Sequence, residues 1–250
     1  MKTPKVAAKA PKASKAAKLA KAEKAAAPKA QDKRQLHFFF VVDCSGSMAG
    51  DKMASLNYAV RSAIPAMRSA AADNPENDVL VRVVSYADKA DWVSEEPVPV
   101  SSFAWKDLSA KGESAMGEAL QILAKMLTSK KLPGRQVQPV IVLLSDGLPT
   151  DDVGAGLKAL EQSEYGKSAL RIAIAIGSDA DMPTLQGFIG QSGVKPLQAN
   201  NAENLVNRIK WAASIPVQAA SKPISNGAEP LQQIAQSAVL ENKDDGELLW

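Results

Sequence analysis

The sequence predicts an α/β fold of three layers, with a doubly wound, mostly parallel six-stranded sheet between two layers of helices. Three observations carry this. Strand-like and helix-like apolar patterns alternate from residue 36 to residue 215. Two runs, LHFFFVVD (36–43) and PVIVLLSD (139–146), are almost continuously apolar, as strands covered on both faces must be. Both runs end in an aspartate, which puts two carboxylates beyond the same end of two central strands.

Each element follows from its own pattern. LHFFFVVD opens the folded body as a strand. MASLNYAVRSAIPAMRSAA (53–71) sets Leu56, Val60, Ile64 and Met67 at helical spacing, with Pro65 marking a kink. VLVRVVSYA (79–87) is a strand. DWVSEEPVPV (91–100) is a poorer one, and its prolines assign it to a sheet edge. SAMGEALQILAKMLTS (114–129) is a helix with Met116, Leu120, Leu123 and Leu127 on one side. After the second aspartate-ended strand, a short helix is expected over 152–163, capped by Thr150 or Asp151. LRIAIAIG (170–177) is a strand, DMPTLQGFIG (181–190) a helix, VKPLQA (194–199) a short strand and NAENLVNRIKWAASI (201–215) a closing helix. Alternation of this kind gives βαβ units and a covered parallel sheet.

The flanks differ in composition. Residues 1–34 are low-complexity Lys/Ala/Pro, with ten lysines and Arg34 against Glu23 and Asp32. Their charge of +9 leaves −6 on the remainder of a chain whose total is +3. Such a segment has too little apolar bulk to offset its ordering entropy, so it is expected to be disordered. Lys12, Lys15, Lys18, Lys21 and Lys24 recur every third residue and would wind around a helix instead of forming a stripe. Pro4, Pro11 and Pro28 interrupt one in any case. At the other end, SKPISNGAEP resembles a linker and KDDGELLW an acidic, frayed terminus that includes Trp250. The expected organisation is a basic tail (1–34), one folded domain (35–215), and a linker with an acidic tail (216–250).

Composition excludes several classes. One cysteine, Cys44, allows no internal disulfide or thiolate metal cluster and fits a reducing compartment. No apolar run approaches the ~20 residues of a membrane helix. No apolar h-region precedes residue 36, so no secretory signal is read there. A cytoplasmic protein is expected. The basic tail points to phosphates as one partner class, bound without sequence preference, against a plain solubilising role or contact with the protein's own acidic body. No aromatics lie among its lysines, so it offers no base stacking. Trp92, Trp105 and Trp211 read as packing residues.

The stretch FFFVVDCSGSMAGDKM (38–53) crowds one carboxylate and two hydroxyls onto the end of a buried strand. A nucleophile, a phosphate cradle and a metal site are the candidates. DCSGSM lacks the G-x-S-x-G elbow, and the only histidine, His37, lies roughly 20 Å back along the strand, too far to serve Ser45 as a base. Cys44 reads as a small apolar residue. GSMAGDK departs from the phosphate-binding pattern and carries an aspartate that would repel phosphate. A hard cation suits the oxygen donors better: Asp43, Ser45 and Ser47 supply one side and Asp146 another. The alternative is structural, with Ser45 and Ser47 turning the chain and capping the next helix.

DCSGSM matches the D-x-S-x-S metal-ion-dependent adhesion motif (MIDAS) and so resembles von Willebrand factor A (vWA) domains. SDGLPTDD (145–152) resembles the later motif aspartate, making it Asp146. AKGESAMGEAL (110–120) offers Ser114 where the family has threonine; serine keeps the hydroxyl and loses the methyl that stiffens the rotamer. DGLPTDD and MGEAL resemble the bacterial TerY-like (tellurium-resistance) group, and the likeness spans residues 36–213. It implies a vWA fold and a Mg²⁺ (or Mn²⁺) site in which Ser45, Ser47 and Ser114 bind directly and Asp43 and Asp146 partly through water. It also implies a coordination position for the Asp or Glu of a partner protein, because hydroxyl ligands leave the ion electrophilic. The expected function is a cation-dependent protein-binding module in a bacterial stress-response or signalling complex, not an enzyme. One alternative is a nucleic-acid-associated protein whose tail binds DNA or RNA while the body recruits partners. Another, a metal-dependent phosphatase or hydrolase, lacks a general base beside the site.

Overall fold

In the computed structural model, which describes residues 33–190 and 195–220, the strand that ends in Asp43 has a parallel partner on each side. This strand, β1 (Arg34–Asp43), pairs with β2 (Asn77–Tyr86) and with β5 (Val140–Ser145). β6 (Leu170–Ile176) and β7 (Leu197–Ala199) continue the sheet in parallel beyond β5. The order is β3-β2-β1-β5-β6-β7. Register aligns Asp43 with Tyr86 and Val42 with Leu144, so the ends of β1, β2 and β5 lie side by side.

The predicted α/β class and mostly parallel sheet are present, with seven strands among the described residues where six were expected. The expected 91–100 strand is divided into β3 (Ala90–Trp92) and β4 (Val98–Pro99), both antiparallel to β2 at the sheet edge. Pro97, which cannot donate to a ladder, lies in the break between them.

Among the described residues, five helices cover the sheet. On one face α1 (Asp51–Ala72) and α5 (Ala202–Ala219) pack with Phe38, Phe40 and Val42. On the other, α2 (Met116–Met126), α3 (Val153–Gln162) and α4 (Met182–Ile189) pack with Phe39 and Val41. Both sets of alternate β1 side chains are buried, which is why this strand reads as an unbroken apolar run. Gly117 and Gly156 bring α2 and α3 close together: a Cβ on Gly117 would stand 2.3 Å from Asp152 O, and one on Gly156 2.6 Å from Gly117 O.

Two prolines lie inside helices. α1 runs through Pro65 as one helix. α5 runs past Pro216 to Ala219, beyond the expected stop at 215. Its last carbonyls are taken by three side chains: Asn74 donates to Val217 O at 3.2 Å, and Asn77 and Arg34 donate to Ala220 O at 3.0 and 3.3 Å. Those bonds anchor the final turn. Residue 194, the basic tail up to Asp32, the segment from 221 onward and Trp250 lie outside the described residues. Among the described residues no helix is long and apolar enough to cross a membrane.

Candidate metal centre

Three loops meet at the carboxyl end of β1 and β5. The first leaves Asp43 and makes a single 3₁₀ turn at Gly46–Met48. The second, 111–115, is fastened to it by two backbone bonds: Lys111 N–H donates to Cys44 O at 2.8 Å, and Gly46 N–H donates to Gly112 O at 2.9 Å. Gly112 is required here; it sits at φ +77°, and a Cβ would collide with the Asp88 carboxylate at 2.2 Å. The third loop follows β5. It is tied to the second by a reciprocal pair, Ser114 N–H to Thr150 Oγ1 at 3.0 Å and Thr150 N–H to Ser114 O at 2.9 Å.

This lacing brings all five predicted residues to one end of the sheet. Asp43 is fully buried. Its Oδ1 accepts from Ser45 N–H at 2.9 Å, and its Oδ2 accepts from Ser145 Oγ at 2.6 Å and Tyr86 Oη at 3.2 Å. Ser45 Oγ and Ser47 Oγ lie 3.0 Å apart. Ser114 and Asp146 are buried, and Ser114 Oγ and Asp146 Oδ1 have no hydrogen-bond partner. Asp146 Oδ2 faces Lys52 Nζ at 3.5 Å. A buried oxygen without a partner forfeits roughly 1–3 kcal/mol, and Ser114 Oγ and Asp146 Oδ1, both at this end of the sheet, are two such oxygens.

The electrostatics are those of a desolvated acidic site. Burial pushes the Asp43 carboxyl above its ordinary value; bonds from Ser145 and Ser45 pull it back, and the charge of Asp146 adds to the rise. Burial, with help from Asp43, also drives the Tyr86 phenol well above its usual range. Burial first and the Asp43 charge second push the Cys44 thiol up to about 12, so this buried cysteine is no nucleophile at neutral pH. Asp179 is held below the carboxylate range by the hydrogen bond from Lys52.

The loop amides turn inward. Gly46, Met48 and Ala49 N–H bond to Gly112, Ser45 and Gly46 carbonyls, which leaves them unavailable to a phosphate. Asp51, in the first turn of α1, adds a negative charge where a phosphate would dock. His37 lies six residues before Asp43 on the continuous strand β1. Among the described residues no three His, Cys, Asp or Glu side chains gather as metal ligands, so the oxygen donors here are chiefly hydroxyls.

Sequence reasoning missed four participants: Lys52, Tyr86, Ser145 and Thr150. Ser145 was open to inference, since it directly precedes Asp146 and parallel register sets it beside Asp43. The expected cap of α3 is corrected. Asp152 caps it by accepting from Ala155 N–H at 2.9 Å. Thr150 holds Ser114 instead, and Asp151 reaches the start of α2, accepting from Gly117 and Glu118 N–H at 2.8 Å each. A side chain at the head of one helix is free to cap a neighbour when Gly117 lets the two approach. The tryptophans pack as expected: Trp92 lies under the Arg82 guanidinium at 3.8 Å, Trp105 donates to Asn57 Oδ1 at 2.9 Å, and Trp211 packs against the α1/α5 core.

Residues 38–148 match the family model described as von Willebrand factor type A domain. Residues 38–148 thus resemble a vWA domain, and the mostly parallel sheet flanked by helices has the vWA fold. Its structure is similar to a von Willebrand factor type A protein from Catenulispora acidiphila, with 16% identity, a TM-score of 0.57, and 74% of this chain and 43% of that one covered. It is also similar to the PilB minor pilin from Streptococcus sanguinis (15% identity, TM-score 0.57, 78% and 65% covered). A third similar structure is the pilus adhesin SpaC from Lactobacillus rhamnosus GG (13%, 0.56, 73% and 30%). At such identities the likeness concerns the fold, and the chain spans less than two thirds of each of these proteins. No curated protein sequence matches this one.

Proposed function

We propose that this chain is a divalent-cation-dependent protein-binding module. Ser45, Ser47 and Ser114 would hold Mg²⁺ (or Mn²⁺) directly, and Asp43 and Asp146 would act partly through water. The observation that carries this reading is that two buried, partnerless oxygens, Ser114 Oγ and Asp146 Oδ1, lie at the same end of the sheet as the Ser45–Ser47 hydroxyl pair. Hydroxyl and carboxylate oxygens without thiolate or imidazole suit a hard cation. Asp43 has both oxygens engaged inside the protein, which fits an orienting role more than a direct one. When bound, the ion supplies attraction for an Asp or Glu of a partner protein. Ser47 is exposed and Ser45 buried, so the hydroxyl pair spans the boundary where such a group would arrive.

Binding, not turnover, is the activity proposed. His37 is remote and the Cys44 thiol protonated, which leaves no base beyond the aspartates themselves. The likeness of DGLPTDD and MGEAL to TerY-like proteins supports a place in a bacterial stress-response or signalling complex, in the cytoplasm. Capture of partners from a native lysate tests the reading: a chelator or the double substitution Ser45→Ala/Ser47→Ala abolishes capture, whereas partners retained under both treatments contradict it. A second reading rests on the +9 charge of residues 1–34: the tail binds DNA or RNA while the body recruits proteins. Deleting that segment then removes nucleic-acid retention and leaves cation binding unchanged.

A further inference from the structure

Asp146 divides its two oxygens between different surroundings. Oδ1 is buried without a partner, whereas Oδ2 faces the Lys52 ammonium at 3.5 Å. That ammonium also donates to both oxygens of Asp179, at 2.9 and 3.1 Å. Lys52 reaches this position over Gly177, which sits at φ +93° and leaves the space open. A Cβ there would stand 2.7 Å from Lys52 Cε and 2.5 Å from Asp179 Oδ1. Lys52 comes from the first turn of α1, and only 16% of its side chain is exposed. The backbone is thus shaped to hold this lysine against the site.

We propose that Lys52 is the positioning residue that sets the affinity and selectivity of the cation site, turning Asp146 so that only Oδ1 faces the ion. This rests on the cation reading above. An ammonium against one oxygen of a carboxylate repels a dication at the other, and low exposure limits the screening of that repulsion. The lysine therefore holds the resting affinity down, and an incoming anionic group offsets its charge. Occupying Oδ2 also leaves Asp146 a single oxygen to offer the ion, directly or through water, which suits Mg²⁺ and disfavours Ca²⁺, an ion that accepts bidentate carboxylates. Asp179 shares the ammonium's charge and acts through Lys52.

Calorimetric titration of MgCl₂, MnCl₂ and CaCl₂ into the full chain tests this with Lys52→Met, Asp179→Asn and the double variant. Lys52→Met is expected to bind Mn²⁺ and Mg²⁺ about tenfold tighter, with a larger gain for Ca²⁺. Asp179→Asn binds several-fold weaker alone, yet changes affinity by less than about twofold in the Lys52→Met background. Damage to the fold does not tighten binding, so the gain separates positioning from support. Lys52→Gln carries the same sign, and thermal melting selects whichever variant folds. Unchanged or weaker binding in the folded Lys52 variant overturns the proposal, as does a full Asp179→Asn effect in the double variant. If the wild type binds none of these ions, the cation reading itself falls; if it binds and Lys52 is indifferent, only this inference falls.

Discussion

Ser114 and Thr150, thirty-six residues apart, exchange two hydrogen bonds of 3.0 and 2.9 Å and so join the loop before α2 to the loop after β5. This pair sets the position of Ser114, which stands where the resembled motif has threonine. Thr150→Val removes the acceptor from Ser114 N–H while keeping the shape of the side chain. The expected cost is about 1 kcal/mol in urea unfolding, together with weaker Mn²⁺ binding; Thr150→Ser restores both. Unchanged ion affinity in a destabilised Thr150→Val would show the loops to be held by other means.

The acid limb of stability is expected to report His37. Its ring is buried and stacked on Phe39 with centroids 6.1 Å apart, and desolvation pushes its pKa from 6.5 to about 4. The folded state therefore binds fewer protons than the unfolded state between those values, and stability falls as pH drops from about 6.5 towards 4. The loss is on the order of 3 kcal/mol. His37→Phe removes this contribution, so its denaturation midpoint declines less over the same pH window. Parallel pH profiles for the two proteins would contradict the assignment.

Asn57 is a node between α1 and the segment that leads to Ser114. Its Oδ1 accepts from Trp105 Nε1 and Leu108 N–H at 2.9 Å each, and its Nδ2 donates to Leu108 O at 2.8 Å. Asn57→Ala strands three polar groups and is expected to cost about 2–3 kcal/mol in chemical denaturation. Trp105→Phe, which strands only one bond, costs less. Equal costs would mean that packing, not the hydrogen bonds, holds this segment.

Close approach of α2 and α3 makes a separate prediction. Gly117→Ala places a methyl 2.3 Å from Asp152 O, where backbone must move. A cost of about 2–3 kcal/mol is expected. Because Asp151 caps α2 and Thr150 holds Ser114, the same displacement loosens the candidate centre, and ion affinity falls with stability. Gly134→Ala, at a positive φ of +90° but with open space around it, costs stability without changing ion affinity.

Fold and site were legible to different depths. β1 and β5 announced themselves because burial on both faces leaves no polar alternation, and their terminal aspartates located the ligand end of the sheet. Asp43, Ser45 and Ser47 are contiguous, so their geometry is local and readable. Lys52, Tyr86, Ser145 and Thr150 enter through register and loop crossing, contacts between residues 36 to 102 positions apart that no short motif encodes. The end of the closing helix was misplaced for a related reason: side-chain caps on its last carbonyls carry it four residues beyond 215, through contacts the local sequence does not display.

The central claim is that oxygens from three chain segments form one divalent-cation site. Titration of Mn²⁺ into the folded chain, followed by calorimetry, tests it most directly. One ion per chain is expected, with binding lost in Ser114→Ala and in Asp146→Asn while both variants keep the wild-type melting profile. No uptake by the folded wild type, or uptake that survives both substitutions, would contradict the account.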